Sequence, residues 1–174
     1  MVAGRFLAVL LGLSISFAFA VATAAEETPN SFFGRILDLH NDARDAEKLP
    51  RLTWSPDLAK AAQGWARTLA REGKLRHSAW KDREGTGENL WIGTRGMFGP
   101  DRMIGAFVGE KRQFRPGTFP DVSTTGRWQD VAHFTQIIWP STQQVGCALA
   151  QGKENEVLVC RYWPAGNYFG SKVG

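Results

Sequence analysis

An α+β domain is the prediction for this chain, with about four helices and at least three strands, and three observations carry it. Apolar residues recur at helical spacing in three separate stretches, and a shorter helix opens at His133. Two apolar runs, Gln143 to Leu149 and Glu156 to Tyr162, read as strands joined by the polar turn Gln151-Gly152-Lys153-Glu154-Asn155, hence as an antiparallel pair. A short extended piece, Leu52-Thr53-Trp54, separates the first two helices.

The totals bound the answer. With 174 residues there is room for one domain with a real core. A hydrophobic content of 43% and a charged content of 22% are ordinary for a globular protein. The formal charge of +4 is spread along the chain with no long basic run. It reads as a solvated, mildly basic surface rather than a nucleic-acid face, with a weak preference for anionic cell-surface material as the alternative.

The first residues are set apart from the fold. Arg5 is followed by an apolar run from Phe6 to Val21, interrupted by Gly12, Ser14 and Ser16, and then by the small-x-small pattern Ala22-Thr23-Ala24. A signal peptide over residues 1–25 is expected, cut after Ala24 or Ala25, with Ala18-Phe19-Ala20 as a competing site and an uncleaved anchor as the rival reading. A short leader, 26–32, precedes a domain expected over 33–170. No later stretch approaches the ~20 apolar residues of a membrane span. The expectation is an exported protein, secreted or periplasmic, with no transmembrane span once the signal is removed. Export gives the two cysteines a meaning. Cys147 and Cys160 would face each other across the antiparallel pair, and in an oxidising compartment a disulfide is the default. Closing a loop of that size stabilises by about 3 kcal/mol. Two buried thiols are the alternative.

Each helix has a local warrant. Asn30 or Ser31 can cap the first, and Ile36, Leu39, His40 and Ala43 form one face. His40 on that face reads as a packing residue rather than a ligand. Asn41 and Arg44 are expected on the neighbouring surface, and Leu49-Pro50 is expected to end the element. Ser55-Pro56-Asp57 opens the second helix with a cap, a proline at the first helical position and an acid in the first turn. Its predicted buried stripe is Leu58, Ala61, Ala62, Trp65 and Leu69, and Gly73 is its stop. Lys74 to Gly99 reads as irregular. Pro100 or Asp101 opens the third helix, with Ile104, Phe107, Val108 and Lys111 on its inner edge and Glu110 near its end. Arg115 to Asp130 is Pro/Gly/Ser/Thr-rich and reads as a long rim or binding loop. Pro164, Gly166 and Asn167 fix an irregular tail.

Several motifs in order resemble the CAP superfamily of cysteine-rich secretory proteins, antigen 5 and plant pathogenesis-related class 1 proteins. His133-Phe134-Thr135-Gln136, Trp139 and Val145-Gly146-Cys147 resemble its first signature. Cys160-Arg161-Tyr162 leading to Pro164-Ala165-Gly166-Asn167-Tyr168 resembles its second. Upstream, His40-Asn41-x-x-Arg44, Leu52-x-Trp54-Ser55, His77-Ser78 and Gly87-Glu88-Asn89-Leu90 are similar to its helix and loop motifs. Phe107-x-x-Glu110 departs from the family's Trp-x-x-Glu, and Pro140 stands where a basic residue often follows the signature Trp. The resemblance implies a three-layer α-β-α sandwich with a central, mainly antiparallel sheet, here in a minimal bacterial-style single domain.

The same resemblance implies that His77, Glu88, Glu110 and His133 form a shared cleft. The chemistry is reasonable on its own terms. Two neutral imidazoles can hold zinc or another divalent metal, and two carboxylates can orient them. A site with only His77 and His133 as protein ligands would be open and its metal exchangeable. Each residue has a plainer role as well. The two histidines can serve separate hydrogen bonds, Glu88 can hold the Gly87–Leu90 turn, and Glu110 can sit on a solvated helix face. Gln136, one helical turn after His133, can line the cleft or pack. Tyr162 and Asn167 are expected to fix the core and tail.

Three readings of function follow. The first is a secreted binding module whose cleft takes a lipid, sterol, peptide or cell-surface ligand, with metal modulating it. The second is a hydrolase in which Glu88 or Glu110 does acid–base work, or a metal activates water. His77-Ser78 adjacency does not make a nucleophile–base pair, so a serine mechanism is not indicated. The third is a structural envelope protein. No self-sufficient catalytic motif is present, which favours the first; the oligomeric state stays open.

Overall fold

The computed structural model describes residues 31–83 and 85–174, together with Met1. The expected signal peptide and residues 26–30 of the leader lie outside the described residues. Helix α1 spans Phe32–Ala46, and Ser31 caps it by accepting a hydrogen bond from the Gly34 N–H at 2.8 Å. Lys48, with φ of 57°, turns the chain before Pro50 is reached, so the helix stops earlier than expected. Asn41 and Arg44 are buried, not on the surface as predicted. Their polar groups are consumed by distant main chain. Asn41 brackets Leu52, accepting from its N–H at 2.7 Å and donating to its carbonyl at 3.1 Å.

Strand β1 (Thr53–Trp54) leads into α2 (Pro56–Glu72), capped by Ser55 and stopped by Gly73 in the left-handed conformation. The buried face of α2 is Ala62, Ala66, Leu69 and Ala70. Ala61 is exposed, while Leu58 and Trp65 are half-buried. The stripe is rotated toward the alanines because the helix lies close against the sheet. Strand β2 (Gly87–Thr94) occupies part of the stretch expected to be irregular. Helix α3 (Pro100–Val108) buries Met103, Ile104 and Phe107, and a 3-10 turn follows over Gly109–Gln113. Lys111, predicted on the inner edge, is exposed and pairs with Glu47 at 2.7 Å. The predicted rim loop carries β3 (Gly117–Thr118) and buries Phe119 and Val122. Helix α4 (Ala132–Ile137), β4 (Gln144–Gln151), β5 (Asn155–Trp163) and β6 (Lys172–Val173) complete the order.

The main sheet runs β1-β4-β5-β2, with β1 parallel to β4 and the other pairs antiparallel; β3 pairs with β6 apart from it. Alternation along the strands sorts the core into two layers. Val157 and Val159 of β5, Ala148 and Ala150 of β4 and Leu90 of β2 pack under α2. Leu158, Cys160 and Tyr162, with Val145 and Cys147, face the layer of α1, α3 and α4. The result is the expected three-layer sandwich. Cys147 and Cys160 are register partners and are joined as a disulfide, their Cα atoms 4.1 Å apart.

At Gly146 the sheet comes close against the start of α2. A Cβ there would clash with the backbone nitrogen of Ala59 and the carbonyl oxygen of Ser55, and neither can rotate away. Gly146→Ala is therefore expected to cost about 1–3 kcal/mol, read as a lowered urea midpoint. An unchanged midpoint would mean that α2 can lift off at no cost.

Candidate functional site

One end of the sheet opens into a cleft of about 310 Å³, bordered by residues from four segments. His77 and Trp80 come from the connection after α2. Glu88 and Asn89 come from β2, and His133 and Gln136 from α4. Gly166 and Tyr168 come from the tail. His77 and His133 thus lie on one shared wall system although 56 positions separate them.

The two imidazoles are held alike. His77 Nδ1 lies 2.7 Å from Glu88 Oε1, and His133 Nδ1 lies 2.6 Å from Glu110 Oε1. A carboxylate accepts, so each Nδ1 carries the hydrogen, and in the neutral ring Nε2 keeps the free lone pair. His77 is 55% exposed and His133 32%, so both rings are open to solvent.

The carboxylates are anchored differently. Glu110 Oε2 accepts from the backbone N–H groups of His133 and Phe134, at 2.9 and 3.0 Å, which satisfies two donors in the first turn of α4. Glu110 therefore stands behind His133 and reaches the cleft through it. Phe107 stacks on the His133 ring at 4.7 Å between centroids, which locks its plane from the other side. Glu88 is buried. Its Oε1 accepts from the Ser78 N–H at 3.0 Å, and its Oε2 accepts from the Ser78 hydroxyl at 3.0 Å and pairs with the Arg161 guanidinium at 3.1 Å. Burial pushes the Glu88 carboxyl up. The His77 hydrogen bond, the Arg161 charge and the Ser78 N–H outweigh it and hold the group below its ordinary value. Glu88 is thus a carboxylate at neutral pH.

Gln136 is buried. Its Oε1 accepts from the Gly166 N–H at 2.9 Å, and its Nε2 donates to the Thr142 hydroxyl at 3.3 Å. Gly87 leaves room for it, because a Cβ there would overlap the Gln136 amide in its present position. Gln136 both lines the cleft and fixes its tail-side wall. Asn167 donates to the Ala132 carbonyl and accepts from Thr135, so it secures the tail. Ser78 Oγ is buried and committed to Glu88 and Arg161, which leaves it no role as a nucleophile.

Among the described residues no group of three or more His, Cys, Asp or Glu side chains could hold a metal ion. Glu88 and Glu110 are each engaged with an imidazole Nδ1. Sequence reading did not single out Trp80, Arg83 and Trp128, and it quoted Tyr168 only as the end of a signature, yet all four border the cleft. The signal of the first three was weak: isolated aromatics and one arginine in stretches without periodicity.

Residues 37–162 match the sequence profile of the family described as "CAP: Cysteine-rich secretory protein family". The chain belongs to this family. It is 30% identical to GLIPR1-like protein 1 of Bos taurus over 91% of its own length and 69% of that protein. It is 34% identical to pathogenesis-related protein 1A of Nicotiana tabacum over 77% of its length and 76% of the relative. The fold is shared with the crystal structure of NaASP2 with Zn2+, at a TM-score of 0.69 and 21% identity, covering 80% of this chain and 82% of that one. No helix among the described residues is long and apolar enough to cross a membrane.

Proposed function

We propose that this CAP protein is an exported binding module, secreted or periplasmic, whose cleft takes a small lipid, sterol, peptide or cell-surface ligand. His77 and His133 would supply nitrogen ligands to an exchangeable divalent metal such as zinc. One observation carries this reading: both imidazoles border one cleft, and each has its Nδ1–H bonded to a carboxylate. That arrangement fixes the tautomer, leaves Nε2 as the basic atom and raises its basicity toward a metal. Zinc accepts two nitrogen ligands with water or ligand atoms completing its shell. The fold shared with the NaASP2 structure containing Zn2+ is in keeping with it. Trp80 and Tyr168, both about half exposed, add apolar surface beside polar groups, the mixture a ligand pocket needs.

The test is a calorimetric zinc titration of wild type and of the double variant His77→Ala/His133→Ala. Wild type is expected to bind and the double variant to lose the site. Equal heats in the two proteins would overturn the ligand assignment.

A further inference from the structure

The two histidine arms look equivalent at the cleft but are built on unlike foundations. Glu110 is tied to backbone N–H groups, which no side-chain substitution removes. Glu88 has one backbone donor, the Ser78 N–H on Oε1 at 3.0 Å, and its Oε2 is held by side chains alone. It faces Arg161 as its register partner across β2 and β5, and both are buried. One terminal nitrogen of Arg161 forms an ion pair with Glu88 Oε2 at 3.1 Å and donates to the Ser78 hydroxyl at 3.0 Å. The same hydroxyl bonds Glu88 Oε2 at 3.0 Å. The three side chains close a small ring that clamps one oxygen of the carboxylate. The other oxygen, Oε1, accepts from the Ser78 N–H at 3.0 Å and faces His77 Nδ1 at 2.7 Å, and the clamp on Oε2 fixes the carboxylate plane in which it does so.

The clamp is costly to keep. Arg161 Nε is buried with no hydrogen-bond partner among the described residues. A buried guanidinium with an idle donor is weak evidence for stability alone. Arg161 makes no contact with the cleft itself, since it is absent from the cleft-bordering residues.

We infer that Arg161, with Ser78, is a positioning residue for the His77 arm: by holding the Glu88 carboxylate in place it keeps His77 in the Nδ1–H form and leaves Nε2 free to ligate. The inference rests on the metal reading of the cleft for its consequence, though not for its geometry. Outer partners of this kind typically change metal affinity by 10–100-fold when removed. Arg161 acts one step further out, so the lower end applies.

The experiment has two readouts. Nitrogen-15 NMR of the metal-free protein reports which ring nitrogen of His77 carries the hydrogen, with His133 as internal control. Zinc calorimetry reports affinity. In Arg161→Met, His77 is expected to lose the Nδ1–H signature while His133 keeps its own, and zinc affinity to fall about tenfold. Arg161→Lys restores the charge without the planar fork, and is expected to recover both readouts in part. A merely structural residue would disturb both histidines or neither. A folded Arg161→Met protein with the His77 signature and zinc affinity unchanged would overturn the inference. If that variant does not fold, Ser78→Ala breaks the same ring and is judged by the same two readouts. If wild type takes up no zinc, the metal reading fails, while the metal-free spectra still decide the role of Arg161.

Discussion

Replacing Arg44 by methionine is expected to destabilise the fold by about 3–5 kcal/mol, the largest effect of any single substitution away from the cleft. The guanidinium is fully buried and meets four main-chain carbonyls: Pro50 at 2.6 Å, Ile137 and Trp139 at 2.9 Å, and Thr142 at 3.1 Å. Ile137 ends α4, and Trp139 and Thr142 lie in the turn that leads to β4, outside any strand ladder. Burial pulls the Arg44 side chain down to about 10, still cationic at neutral pH. Methionine fills much of the volume but takes the guanidinium from the carbonyls in a dry site, where each loss is felt at close to its full desolvation cost, least at Trp139, whose carbonyl keeps the Thr142 N–H at 3.1 Å. Arg44→Lys should recover little, because an ammonium cannot present a fork wide enough to reach four acceptors. Urea unfolding of the three proteins measures the effect. A loss below 1 kcal/mol for methionine would mean that water or a shifted backbone takes over the carbonyls. The cleft should respond as well, since this turn continues directly from His133 and Gln136.

The same residue marks the boundary of what could be read from sequence. Helix entries were legible because their physics is local. Ser31 caps a turn three residues away, and Ser55-Pro56-Asp57 needs no distant partner. Arg44 and Asn41 were placed outside because charged and amide side chains ordinarily seek water. Their acceptors come from turns remote in the chain, up to 98 positions away, and no local pattern carries that information. Strand β2 was missed for a related reason. Its first residues, Gly87-Glu88-Asn89, bury polar groups on both faces, so the alternation that reveals a strand is absent. Glu88 turns inward to Arg161 and Asn89 turns to Tyr162 and the His133 carbonyl. The histidines and glutamates of the cleft were legible as motif positions. That Glu88 and Arg161 face one another could be seen only once β2 was known to pair with β5.

Lowering the pH from 7 to 4 is expected to remove on the order of 3 kcal/mol of stability through His40 alone. His40 is fully buried. Its Nδ1–H donates to the Ile36 carbonyl at 2.7 Å, so Nε2 must accept from the Tyr162 hydroxyl at 2.8 Å. Tyr162 in turn accepts from the Asn89 amide at 3.1 Å, and Asn89 also donates to the His133 carbonyl. Adding a proton at Nε2 would set two donors against each other and idle the phenolic hydrogen. Burial, assisted by the Arg44 charge and opposed only by the Ile36 bond, pulls His40 from 6.5 down to about 4. Burial likewise raises the Tyr162 phenol, which therefore stays protonated. The sign follows from linkage. The unfolded chain takes up the proton near 6.5 and the folded one only near 4, so the stabilisation is complete above 6.5 and drains away as the pH falls between the two. Glu88, depressed in the folded state, adds its own loss only below 4.5. His40→Gln preserves a donor and an acceptor without a titrating ring. It should flatten the dependence between pH 6.5 and 4.5 while keeping the acid limb. Parallel stability curves for wild type and variant across that window would show that His40 is not the titrating group.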